Sequence, residues 1–401
     1  MINKMIHTPE GVRDIYGREL ERKIIIKERL RRIHYSYGYR NIETPSFEFS
    51  DIYSNEVGTT PEKEMYRFFD KEGNMLVLRP DFTPSVARCA AKYFVDDSMP
   101  IRLCYEGNAF NNTSELQGKL KESTQMGVEL IESSLNPDSD AEVICLVAES
   151  LLHTGLNDFQ ICIGNSGYFR GICVDAGLSN EDMQELREYM SAKNYFGARE
   201  FMLSLGMNDE HISAILDVTK IVSFDEILKA KEYVHNEMSL NAIDYLVNVY
   251  KSIKLRGFEK YVSVDLGLLS KFNYYTGTLF KGYTYGTGDA IVKGGRYDGL
   301  LGKFGKPSYA VGAVFLVDDV MTALSSQSLL PEVNPSVIWV VYDADDLTKK
   351  KTAFKRIDDL RKDGRSAAAI AFDKAKTKED YPQYCANHDI VNAEFFVYTG
   401  R

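Results

Sequence analysis

The chain has 401 residues, 44% of them apolar, and its 58 acidic against 48 basic side chains leave a net charge of -10. That length exceeds one hydrophobic core and predicts two or three domains. The acid excess argues against a broad nucleic-acid-binding surface but leaves room for a local basic patch.

Cys89, Cys104, Cys145, Cys162, Cys173 and Cys385 form no close pair and no CxxC, so reduced thiols are expected rather than a disulfide frame or a zinc site. The six histidines are scattered, and neither a metal nor a cofactor is expected from spacing. The opening MINKMIHTPEGVRD lacks an apolar signal core, and no apolar run approaches the length of a membrane span, so a cytoplasmic chain is expected.

In chain order, Leu20 to Tyr37 predicts a helix, because Ile26, Leu30, Ile33 and Tyr37 recur at helical spacing with basic residues between them. Gly38 ends it, and Asn41 to Phe49 continues as an extended segment containing Pro45. Tyr66–Phe69 and Met75–Leu78 read as short strands around a turn containing Gly73. Pro84 to Tyr93 suits a helix with proline in its first turn. Ile101–Tyr105 and Gln125–Ile131 read as strands joined by a polar loop, Asn111 to Glu122. A helix over Ala141–Leu152 and a strand over Phe159–Ile163 follow.

From about 180 to 256 the pattern turns helical, broken by turns such as GMNDEH at 206–211, and an inserted helical module is expected there. Strands resume at Val262–Leu266, Gly277–Phe280 and Asp289–Val292. SSQSLLPEVNPS, residues 325–336, is the linker candidate separating a first domain, 1–324, from a small α/β domain, 337–401. In the latter, strands at Val337–Tyr342, Ala367–Phe372 and Glu394–Tyr398 alternate with helices at Leu347–Leu360 and Glu379–His388. The expected class is α+β.

Four segments carry the chemistry: LRPDFT at 78–83, RLCYEGNAFNNTSELQGKLKESTQMGVE at 102–129, NYYTG at 273–277 and GGRYDGLLGKFG at 294–305. Gln125 and Glu129, four apart in a strand, share a face. Asp81, Thr83, Gln125, Glu129 and Tyr275 together offer carboxylates for an amino group and acidic or phenolic partners for an imidazole. The same polar groups are also compatible with an internal hydrogen-bonded network that holds no ligand. GGRYDG contains no GxxxxGK[ST] phosphate loop, so Gly294 and Gly295 are expected to permit close strand and loop approach, and Arg296 and Asp298 to pair with each other.

These segments resemble the class II aminoacyl-tRNA synthetases, and histidyl-tRNA synthetase in particular. The resemblance implies an antiparallel sheet with flanking helices, a helical insertion over 180–256, and a dimer formed through the first helix and the proline-containing stretch after it. It implies that Asp81, Thr83, Gln125, Glu129, Tyr274 and Tyr275 face bound histidine, with Asp81 shorter than the family's glutamate and Phe82 standing for its glycine. The C-terminal domain resembles a truncated anticodon-binding domain.

Three positions depart from the family where an arginine would meet ATP. They are Asn111, with Thr113 for the nearby glutamate, then Ser270, and then Asp319, whose neighbours Val317, Asp318 and Val320 also offer no arginine. GKLKE at 118–122 stands where the family has GRxRE and keeps charge without the bidentate geometry. Activation of an amino acid on the α-phosphate needs oriented cations, so loss of catalysis is expected.

A synthetase-like scaffold with degraded motifs is similar to the ATP phosphoribosyltransferase regulatory subunits. That resemblance implies a short-form catalytic subunit as partner, a hetero-octamer, and histidine feedback in histidine biosynthesis. A divergent histidyl-tRNA synthetase and a standalone histidine-sensing dimer are the alternatives. For the first, Lys349, Lys350, Lys351, Lys355, Arg356, Arg361, Lys362 and Arg365 could touch RNA phosphates, although Asp358, Asp359 and Asp363 interrupt the run.

Overall fold

The computed structural model describes residues 6–53, 60–95, 100–112, 120–269, 274–333, 337–372 and 392–396. Ser270, Thr113, Gly118, Lys119, Cys385 and the helix expected over Glu379–His388 lie outside these residues.

The first helix, α1 (Gly17–Ser36), buries Ile26, Leu30 and Ile33 on one stripe. It stops where Gly38 adopts a left-handed φ of 82° and the Gly38 and Tyr39 amides turn back to the Tyr35 and His34 carbonyls. Lys27 and Arg31, on the same helix, both grip Glu106, which ties α1 to strand β5 (Ile101–Phe110).

By internal packing the chain divides into two compact units, Met1–Asp14 with Ile25–Leu330, and Ile15–Ile24 with Pro331–Arg401. The larger unit is built on an eight-stranded sheet. Its strands are β1 (Arg40–Asn41), β5, β6 (Glu122–Glu132), β7 (Phe159–Asn165), β8 (Val262–Val264), β9 (Thr278–Thr284), β10 (Val292–Arg296) and β11 (Tyr309–Leu316), in the order β1-β5-β6-β11-β10-β9-β7-β8. The interior pairs are antiparallel, and the two edge pairs, β1 with β5 and β7 with β8, are parallel.

One sheet face presents Cys104, Met126, Val128, Ala313, Phe315, Phe280, Val292, Ile161 and Ile163 to the main core. α3 (Pro137–Thr154) covers it with Val143, Ile144, Leu146, Val147 and Leu151, all fully buried. Helices begin at α4 (Ser166–Asp175), before the expected 180, and continue through α5 (Asn180–Ser191), α6 (Tyr195–Ser204), α7 (Asp209–Leu216) and α8 (Glu237–Leu255). All five start on a side-chain cap, and Asn165, Ser179, Asn194, Asn208 and Asn236 each accept an amide of the first turn. α8 packs on α3 and α4, and the residues of all these helices join one continuous core.

The opposite face carries a second cluster, in which Ile101, Leu103, Tyr105 and Ile131 meet α2 (Thr83–Tyr93) through Val86, Ala87 and Ala90. Beside it a small sheet runs β2-β4-β3, from β2 (Phe47–Phe49), β3 (Arg67–Phe69) and β4 (Met75–Leu78). The short α9 (Leu300–Lys303) lies between β10 and β11, and α10 (Val317–Ser326) follows β11. The smaller unit holds the parallel sheet β13-β12-β14, from β12 (Val337–Tyr342), β13 (Ser366–Ala371) and β14 (Asn392–Phe396). α11 (Leu347–Lys362) packs on it through Ala353, Ile357 and Leu360. Part of the basic run on α11 serves this unit itself, since Arg356 forks onto Glu394 and Arg361 donates to the Ala367 carbonyl.

The GG pair does not sit in a loop. Gly294 and Gly295 lie inside β10, which runs to Arg296 where the sequence pattern suggested a strand ending at Val292. A Cβ on Gly294 would come within 2.2 Å of the Phe280 ring, so glycine is what lets β9 and β10 close over that side chain. At the strand's end Arg296, 1% exposed, reaches Asp140 at 2.6 Å, Asp298 at 2.9 Å and Glu132 at 3.5 Å.

Burial disfavours a lone charge at Asp140, and the guanidinium opposes that effect. Asp140→Ala is therefore expected to destabilise the larger unit by about 3 kcal/mol, because it leaves a buried guanidinium under-neutralised. Circular dichroism during urea unfolding is the suitable measurement, since the single tryptophan, Trp339, lies in β12 of the other unit.

Candidate functional site

The second face of the sheet is where polar groups are gathered, and strand alternation puts them there. On β6, Met126, Val128 and Leu130 point into the main core, so Gln125, Gly127 and Glu129 point the other way. The flanking strands match this row by row. Glu129 lies between Leu103 and Gly312, Gly127 between Tyr105 and Val314, and Gln125 between Gly107 and Leu316. Two of these glycines make room for functional groups. A Cβ on Gly312 would sit 1.7 Å from Glu129 Oε2, and one on Gly127 would sit 2.3 Å from the Tyr105 hydroxyl.

Glu129 is 1% exposed and is held from two sides. Thr83 Oγ1 donates to its Oε1 at 3.0 Å, and the Tyr297 hydroxyl donates to its Oε2 at 2.5 Å. Thr83 is the first residue of α2, and its amide donates to Asp81 Oδ1 at 3.1 Å. The Tyr274 hydroxyl reaches Asp81 Oδ2 at 3.3 Å, and the Tyr53 hydroxyl donates to the Asp81 carbonyl at 3.0 Å. The rings of Tyr274 and Tyr275 lie 4.6 Å apart, with Gly295 leaving space for Tyr275. Asp81, Thr83, Glu129, Tyr274 and Tyr275 are thus brought into one cluster. Gln125 is buried on the same face two residues along from Gly127, and its side chain bonds to none of the five.

The electrostatics of this cluster are unusual because its acids lack cations. Among the described residues, the donors to Asp81 and Glu129 are hydroxyls and an amide, and no ion pair reaches either carboxylate. Burial pushes Glu129 up to about 8, and the nearby Asp81 charge adds in the same direction against the Tyr297 and Thr83 hydrogen bonds. Asp81 is likewise raised by burial, with the Thr83 amide and Tyr274 hydroxyl opposing. Chemically this cluster gathers carboxyl and phenolic oxygens that suit a cationic or donor-rich ligand. Tyr275 and Thr276 also line a cleft of about 1330 Å³ with Ser166, Arg170, Arg187 and Glu188 of the helical region.

The positions where phosphate-binding arginines were sought hold groups engaged in structural roles. Asn111 donates its amide to the Pro80 carbonyl at 3.2 Å and so braces the LRPDFT turn. Asp318 and Asp319 stand in the first turn of α10, where negative charge suits the helix dipole, and Asp318 accepts the Thr124 amide at 2.7 Å.

Three contributors escaped the motif reading. Arg79 is buried, donates to the carbonyls of Asn108, Thr44 and Pro45, and lies 4.0 Å over the Phe82 ring. Phe82 in turn stacks on Tyr105 at 4.5 Å, a contact that a glycine at 82 could not make. Tyr105 and Tyr297 complete the cage around Glu129, with the Tyr105 hydroxyl beside Thr83 and Glu129 but lacking a well-formed hydrogen bond. The pairing of Tyr105 with a glycine on β6 was a readable signal; Tyr297 sat inside GGRYDG and is placed only by the fold.

This geometry can be set beside known proteins. Residues 11–320 match the histidyl-tRNA synthetase family. A curated relative from Acetivibrio thermocellus, an ATP phosphoribosyltransferase regulatory subunit, is 41% identical over 90% of this chain and 85% of its own length. A crystal structure from Bacillus halodurans, titled as an ATP phosphoribosyltransferase regulatory subunit/histidyl-tRNA synthetase, superposes with a TM-score of 0.85 at 27% identity over 99% of both chains. A histidyl-tRNA synthetase from Nostoc sp. shares the fold with a TM-score of 0.78 at 22% identity, covering 96% of this chain and 90% of its own. The chain belongs to the ATP phosphoribosyltransferase regulatory subunits, a family built on the histidyl-tRNA synthetase fold.

Proposed function

We propose that this chain is a non-catalytic regulator in histidine biosynthesis. It associates with a short-form ATP phosphoribosyltransferase catalytic subunit, activates it, and conveys histidine feedback from the pocket around Glu129. The assembly would be a cytoplasmic hetero-octamer of four regulatory and four catalytic chains, with the regulatory chains paired as dimers. The observation that carries the reading is a contrast within one site. Acidic and phenolic groups that suit a zwitterionic amino acid with an imidazole are assembled, whereas position 111 holds a neutral amide engaged by Pro80 and positions 318–319 hold acids. Ser270 extends the same pattern in sequence.

Adenylation would need preorganised positive charge at the α-phosphate, and each missing oriented donor is worth about 2.7–4 kcal/mol of transition-state stabilisation. A receptor without those donors can still regulate. Histidine needs only to bind one state of the complex more tightly than another, and the coupling is then felt equally at both sites.

Mixing the chain with the catalytic subunit tests the proposal directly. Co-elution, a raised phosphoribosyltransferase rate and inhibition of that rate by histidine are expected, and no complex with no change in rate would defeat it. Histidine-dependent ATP–pyrophosphate exchange is expected to stay at background; exchange above background would favour a divergent synthetase instead. Glu129→Gln and Tyr275→Phe are each expected to weaken histidine inhibition about tenfold, in the range for losing a hydrogen-bond partner in a buried site, with co-elution retained. Unchanged histidine affinity in both variants by calorimetry would refute the pocket.

A further inference from the structure

We propose that the pocket binds its ligand by exchange, with Glu129 holding a proton while the site is empty and releasing it to solvent when a ligand brings a positive charge against Asp81 and Glu129. The inference rests on the receptor reading above and adds the currency in which the site works.

The geometry is what requires it. Two carboxyl groups are bridged by a single residue, since Thr83 gives its amide to Asp81 and its hydroxyl to Glu129. Each wall of this pair can be checked for a compensating charge. β5 contributes Tyr105, the segment before β9 contributes Tyr274 and Tyr275, the residue after β10 contributes Tyr297, and β11 contributes Gly312. The cations that share this sheet face on neighbouring strands are engaged elsewhere. Lys293 pairs with Asp289 at 3.2 Å, and Lys281 donates to the Leu269 carbonyl at 3.2 Å. Arg79, close to Phe82, gives its donors to backbone carbonyls.

Glu129 is buried and Asp81 half-buried, and with no described cation on either, ionising both is costly, so the cheaper state holds one proton. Glu129 is the better holder. Its oxygens accept from two hydroxyls with the Tyr105 hydroxyl nearby, and each of the three can accept as well as donate, whereas Asp81 also has a fixed amide donor at Oδ1 that favours its anion. Burial acts on Glu129 in the same sense.

An arriving ammonium or imidazolium reverses the balance, because an opposite charge within a few ångströms favours the carboxylate. The proton passes to solvent, and the pocket then contains two anions with the ligand's cation. Two consequences separate this from ordinary ion pairing. Ligand affinity rises with pH until Glu129 ionises unaided. A neutral analogue without the amino group gains nothing from higher pH.

Calorimetry of the full-length chain with L-histidine at pH 7.5, repeated in buffers of low and high ionisation enthalpy, reads the exchange. About 0.5–1 proton is expected to be released per histidine, of which the ligand's own mostly neutral imidazole supplies ~0.1 at most. The association constant should climb by up to about tenfold per pH unit between pH 6.5 and 8 and level off above.

Infrared difference spectra give a second readout that does not depend on a variant binding. A carboxylic-acid carbonyl band present in the empty protein should vanish on adding histidine and be missing in Glu129→Gln. The unfolded chain gives up this proton at ordinary carboxyl pH while the folded empty site keeps it, so wild type should lose thermal stability relative to Glu129→Gln as pH rises from 5 to 8. Histidine binding with no proton release and no acid band would overturn the exchange and leave the receptor intact. Absence of any histidine binding would overturn both.

Discussion

Strand β6 has to satisfy two environments at once, and the rest of the larger unit is arranged around that demand. Met126, Val128 and Leu130 anchor it in the main core, while Gln125, Gly127 and Glu129 occupy the polar face. A slip of one residue would drive a carboxylate into the packing against α3 and would turn three apolar side chains onto the site. The register is therefore pinned from both faces. Gly312 and Gly127 pin it further, because the Glu129 carboxylate and the Tyr105 ring occupy the volume where Cβ atoms would otherwise be.

Three arginines brace the body of the larger unit. Arg79 ties three backbone carbonyls together behind the LRPDFT turn, Arg296 neutralises buried acids at the end of β10, and Arg102 forks onto Glu142. All three are structural, and losing any of them would strand buried polar groups. Asn111 and Asp318 belong to the same scaffolding through Pro80 and Thr124. That bracing leaves Asp81, Thr83, Glu129 and the tyrosines around them in fixed positions. The two acids then dominate the electrostatics of the cluster, since no described cation offsets them and each responds to a positive charge brought against it.

Much of the element order was readable, and the errors have physical causes. The helix stripe of Ile26, Leu30 and Ile33, the short strand pair around Gly73 and the alternating C-terminal unit were all visible as periodicity. β5 runs on to Phe110 through Glu106, Gly107 and Asn108, and β11 was not anticipated; both carry an internal glycine, which a lone strand disfavours and pairing on two sides stabilises. The same holds for β10, expected to end at Val292, because its glycines disfavour a strand when seen without Phe280 beneath them. Helices start at Ser166 rather than near 180 because Asn165, at the end of β7, caps α4 directly.

The sequence by itself determined the apolar periodicities, the motifs that placed Asp81, Thr83, Glu129 and the paired tyrosines as candidates, and the absence of arginine at 111, 270 and 319. Each of these is a property of neighbouring residues or of a residue's identity. Tertiary structure alone decided that Tyr297 and Tyr105 enclose Glu129, that Arg79 is internal scaffolding, and that no described cation reaches the two acids. Those facts depend on groups from six separate segments meeting in one buried volume, and the ionisation of a carboxyl group is set by everything within a few ångströms of it. Residues 102–129 show both sides of the division, since the identities of Asn111, Gln125 and Glu129 are read from the chain, while only the fold places Glu129 where no described cation reaches it.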